Sequence, residues 1–87
     1  MKKPSFEHVK LALKEACEFL RSFTLGQPGF TPQNGIAGIQ RVTDKCNQME
    51  RLFADGLDAK ESKMIVASAR SRVSAANARL AVLRHVQ

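Results

Sequence analysis

The spacing of apolar residues restricts this chain more than any other feature. Phe6, Val9, Leu13, Ala16, Leu20 and Phe23 fall three, four, three, four and three positions apart. Such steps keep side chains on one face of a helix that turns every 3.6 residues. The rhythm returns in Ile36, Ile39, Val42, Cys46, Met49 and Phe53, with Leu52 beside them. It returns again in Val66, Ala69, Val73, Ala76, Leu80 and Leu83. No stretch follows the two-residue period of a strand. Three one-faced helices bury those faces against one another, so the sequence predicts an all-α fold. The expected form is a small antiparallel three-helix bundle with a long C-terminal helix, one domain over residues 1–87.

The breaks between stripes set the boundaries. Pro4 suits a first helical turn and Ser5 a cap, which starts a helix over roughly residues 5–23. The loop 24–31 holds Gly26, Pro28 and Gly29, and Thr31-Pro32 then opens a second helix over 32–54. Gly35 and Gly38 weaken its first turns by about 1 kcal/mol each relative to Ala, or else let another backbone approach closely. Gly56 is expected to stop this helix in a left-handed conformation. Asp58-Ala-Lys-Glu61 has the form of a capping box for a third helix over 59–86. That helix would be ~42 Å long, enough for its end to project beyond the bundle.

Charge is distributed unevenly. The net charge is +6, yet residues 1–61 hold nine basic and eight acidic side chains, whereas residues 62–87 hold five basic and none acidic. The helix dipole favours acids at a helix start and bases at its end, which suits Asp58, Glu61, Arg79 and Arg84. It gives no reason for Arg70 and Arg72 in mid-helix. Lys63, Arg70, Asn77 and Arg84 stand seven apart and form a basic ridge. Ala67, Ser71, Ser74, Ala78 and Ala81 form a strip of small side chains, which either packs inside the bundle or meets a partner. The expected contact residues are Lys63, Arg70, Arg72, Ser74, Ala78, Arg79 and Arg84. Phe30 is a secondary candidate, since an apolar loop either plugs the end of a bundle or presents an anchor.

Several classes are disfavoured. No apolar run approaches the ~18 residues of a membrane span, and the N-terminal "MKKPSFEHVK" lacks the apolar core of a secretory signal. A cytoplasmic location is expected. Cys17 and Cys46 do not have zinc-site spacing and read as small buried thiols. His8 and His85 have no acid or nucleophile at helical spacing, and no phosphate loop follows a strand. Neither catalysis nor a cofactor is therefore expected.

The segment "LFADGLDAKESKMIVASARSRVSAANARLAVLRH", with its Asp-Gly-Leu-Asp start and Ala/Ser-rich helix, resembles short helical proteins encoded by bacteriophages and prophages. The resemblance implies a host cytoplasmic setting and a protein that binds and inhibits or redirects one host protein. The leading expectation is therefore a non-enzymatic protein-interaction module acting through the basic C-terminal helix on an acidic protein surface. The second is a nucleic-acid-binding or DNA-associated regulator using the same ridge. A homodimer through the small strip is compatible with both.

Overall fold

The computed structural model describes residues 3–86. Three helices make up the fold: α1 (Phe6–Thr24), α2 (Pro32–Leu52) and α3 (Ala59–Val86). Each packs against the other two, and no strand occurs among the described residues. The chain runs up, down and up, so α1 and α3 lie parallel with α2 antiparallel to both. The bundle measures 47 × 21 × 17 Å, its long dimension close to the ~42 Å of α3. No helix among the described residues is long and apolar enough to cross a membrane.

The helix ends follow from short local bonds. Ser5 caps α1, its hydroxyl accepting from the His8 N–H at 3.1 Å, so Pro4 precedes the cap instead of entering the first turn. At the other end, the Gln27 N–H donates to the Ser22 carbonyl and the Gly26 N–H to the Phe23 carbonyl. This paired closure needs a left-handed residue, and Gly26 supplies it with φ 73°. A reciprocal box opens α2: the Asn34 N–H donates to Thr31 Oγ1 at 3.2 Å, and the Thr31 N–H donates to Asn34 Oδ1 at 2.9 Å.

Two expected boundaries shift. α2 ends at Leu52 with Phe53 as its cap, two residues early. Gly56 does have a positive φ of 96°, but it lies in the link, where its carbonyl accepts from the Ala59 N–H. It turns the chain into α3 and does not stop α2. The Asp58 carbonyl accepts the first α3 bond from the Ser62 N–H, yet the expected box does not form. The Glu61 carboxylate instead accepts from Lys10 Nζ across the bundle at 2.6 Å.

All six α1 stripe residues are buried. On α3, Val66, Ala69, Ala76 and Leu80 are buried, Val73 and Leu83 are half-buried against them, and Ser62 continues the stripe toward the start. With Leu80 and Leu83 packed, α3 stays on the bundle to near its end and does not project as a bare helix. α2 departs from the expected stripe in its opening turns. Val42, Cys46 and Met49 are buried, but Gly35 and Gly38 lie inward where Ile36 was expected, and Ile36 is 45% exposed. A β-carbon at Gly35 would overlap the Phe23 ring, and one at Gly38 would press on Leu20 and Phe19 at 3.1 Å. The glycines are sockets for side chains of α1, not points where another backbone approaches. Beside them Phe30 folds back edge-on to Phe19, ring centroids 5.1 Å apart. At the opposite end Phe6 and Phe53 meet edge to face at 5.2 Å, with the Lys3 ammonium 4.7 Å above Phe53.

Candidate functional site

α3 has three exposed tracts. Its outer side, opposite the core, carries Met64, Ala67, Ser71, Ser74, Ala78 and Val82, all exposed and uncharged. The small strip therefore does not pack inside the bundle. One edge faces α2 and carries Lys63, Arg70 and, at heptad spacing, Arg84. The other edge faces α1 and carries Arg72 and Arg79. Lys63, Arg70 and Arg84 of the expected ridge thus share one edge, while Arg72 and Arg79 lie on the other edge and Ser74 and Ala78 on the uncharged back.

Their freedom differs as well. Arg70 is paired with Glu50 of α2 and also donates to Asn47 Oδ1 at 3.3 Å. Arg79 is half-buried, its guanidinium lying against Gly26 just past the C-terminus of α1, with its buried Nε lacking a hydrogen-bond partner. A cation there complements the negative end of the α1 dipole. Lys63, Arg72 and Arg84 are exposed and take part in no ion pair among the described residues.

Folding also gathers charge that the sequence keeps apart. The chain has no acid between Glu18 and Asp44, and none after Glu61. Because the chain runs up, down and up, the loop with the adjoining halves of α1 and α2 comes beside the second half of α3. One end of the bundle thus carries Arg21, Arg79 and Arg84, with Arg41 further along α2, and among the described residues the nearest acids are Glu18 and Asp44, each one turn away toward the middle of its helix. Glu7, Asp55, Asp58 and Glu61 lie at the opposite end, interspersed with lysines. Reading the C-terminal helix by itself found only half of this basic end.

Two grooves flank α3. The one shared with α2, about 370 Å³, is lined by Phe53, Val66 and Ala67 and bordered by the Arg70–Glu50 ion pair. The one shared with α1, about 410 Å³, has Leu13, Cys17, Ile65 and Ala69 at its base. Its rim carries Lys14, Arg21 and Arg72 against the single free acid Glu18, while the Lys10–Glu61 pair closes one end. Cys17 is half-buried here and Cys46 fully buried in the core, and both thiols are free. Burial pushes the Cys17 thiol up, opposed in part by the charge of Arg72. Burial pushes Cys46 up too, with Arg70 opposing.

No protein-family model, curated protein or solved structure matches this chain.

Sequence reasoning missed the α1–α3 groove because its base and rim come from segments about fifty positions apart. Cys17 was the available signal: it widens the α1 stripe to one side, where a neighbouring helix should cover it. Phe30, the secondary candidate, leans on the core beside Phe19, and the large exposed side chain of that loop is Leu25.

Proposed function

We propose that this protein is a non-enzymatic interaction module that binds an acidic protein surface through α3 and the basic end of the bundle. The observation carrying this reading is the meeting of two acid-free stretches, which gathers Arg21, Arg79 and Arg84 toward one end, where Glu18, one turn before Arg21, is the nearest acid on α1 or α3 among the described residues. Cations in that arrangement speed encounter with an acidic surface and orient it, while apolar contacts hold the complex. Exposed Val82 and Leu25 supply apolar area near these charges.

Two placements support a non-enzymatic role. His8 is near the start of α1 and His85 near the end of α3, so the parallel helices hold them at opposite ends of the bundle. The charged groups that act on the Cys17 thiol are Arg72 and Glu18, neither of which serves as a proton-accepting imidazole would. The phage setting implied by the C-terminal segment suggests a bacterial host protein as the partner, with inhibition or redirection as the outcome.

The test is affinity capture from bacterial lysate with and without nuclease, using the native chain and a variant with Arg70, Arg72, Arg79 and Arg84 all changed to Ala. One protein retained after nuclease by the native chain and lost by the variant is the expected result. Retention unchanged in the variant overturns the assignment to α3. Capture that depends on nucleic acid and falls steeply with salt makes phosphate binding the function instead.

A further inference from the structure

The groove between α1 and α3 has features that the general charge of α3 does not require. Its base is apolar, with Leu13 and Ala69 fully buried and Cys17 and Ile65 left half-covered. Its rim is cationic, and Lys14, Arg21 and Arg72 have no ion-pair partner among the described residues. It is also long and straight. From Lys10 to Arg21 it follows α1 for about 16 Å, roughly three helical turns. Where α1 meets the first turns of α2 the seam is instead filled, Phe23 meeting Gly35 and Phe19 with Leu20 meeting Gly38. Half-covered apolar groups along a straight furrow between two parallel helices suit a fourth helix laid into it, its side chains interleaving with theirs.

We infer that this groove receives one amphipathic helix of a partner protein, apolar along the side facing Cys17 and Ile65 and acidic along its flanks. The inference rests on the reading of α3 as the contact surface and narrows it to the α1 edge. Three rim cations against one free carboxylate select an acidic flank, and a lysine-flanked helix would be repelled. Arg72 holds the central position, since it belongs to α3 and borders the groove, whereas Arg70 on the other edge is already paired with Glu50. Bound helix would cover Cys17, which gives the site its own reporter, while Cys46 stays buried in the core either way.

The experiment uses the full chain and two fluorescein-labelled amphipathic peptides of four turns. Both have Leu on one face, and the flanks are Glu in one and Lys in the other. Binding is read by anisotropy, and occupancy by the slowing of N-ethylmaleimide addition to Cys17, located by mass mapping and expressed as a ratio within each variant. The Glu peptide is expected to bind and protect Cys17, and the Lys peptide to do neither. Arg72→Glu should weaken the Glu peptide by about tenfold or more. Arg84→Glu, which changes net charge equally but lies outside the groove, should weaken it far less. Ser68→Trp, at an exposed position on the groove wall, should block binding with charge unchanged. Equal weakening by Arg72→Glu and Arg84→Glu with Cys17 unprotected overturns the groove and leaves the broader α3 reading intact. Failure of the Glu peptide to bind also overturns the groove, while the broader reading stands or falls on the lysate capture.

Discussion

The two seams of α1 are built in opposite ways. Toward α2, bulky side chains enter sites that lack a side chain: Phe23 on Gly35, and Leu20 with Phe19 on Gly38. Toward α3, the facing residues are Ala69 and Ile65, and about 410 Å³ stays open between the helices. One helix therefore takes part in a closed joint and in an open furrow. Close packing over one half of a small core can leave the other half free to take a ligand, because the closed joint carries more of the stability.

Phe23→Ala attacks the closed seam directly and should have the largest effect. Removing a fully buried ring costs about 3–5 kcal/mol. A domain of this class has a total of only about 5–15 kcal/mol, so the thermal midpoint should fall by more than about ten degrees. Gly35→Ala is expected to destabilise by about 1–3 kcal/mol through overpacking, although Ala is the better helix former by about 1 kcal/mol. Combining it with Phe23→Leu should recover part of the loss, and a double-mutant cycle with no coupling would refute the socket. Arg70→Ala breaks an exposed ion pair at the α2 edge and should cost at most about 1 kcal/mol, less still in high salt. Ser68→Leu, on the open furrow, should change urea stability by no more than about 0.5 kcal/mol. A large loss there would mean that the furrow is as tightly packed as its counterpart.

The smallest effect concerns the thiols. Both cysteines are held above the usual range near 8.5 by burial. A folded state that favours the protonated thiol is fully stabilised by it below the unfolded pKa and loses that contribution as pH rises through the folded one. Stability should therefore decline gently above pH of about 8.5, and less so when Cys17 is replaced by Ser. Arg72→Ala removes the opposing charge and should shift the maleimide rate profile of Cys17 to still higher pH.

Much of the fold was legible because a three-four stripe is a one-dimensional signal. Every stripe residue of α1 is buried as its spacing requires, and α3 follows from Val66 to Leu83. The reading went wrong at Ile36, since hydrophobicity gives a glycine no weight and burial at Gly35 reflects a recess, not an apolar side chain. The signal was present in two glycines one turn apart that follow a helix ending in Phe19, Leu20 and Phe23. The site was only half legible. An excess of arginines can be counted along α3, but Arg70 meets Glu50 twenty positions away and Lys10 meets Glu61 fifty-one away. Which cations remain free is decided by how the helices face each other, and local spacing does not encode that. Glu61 shows the cost of local reasoning: its place in a capping motif is correct in sequence, and a lysine on another helix takes it.

The bundle's 47 Å length also has an electrical consequence. At physiological ionic strength a charge is felt over about 8 Å, so the two ends are several screening lengths apart. An approaching surface senses one end at a time: a patch of balanced charge at the Asp58 end, or bare cations at the loop end. An acidic partner would therefore turn the rod before touching it, bringing the loop end forward, and the lengthwise furrow would engage second. Added salt should then slow arrival far more than it hastens departure.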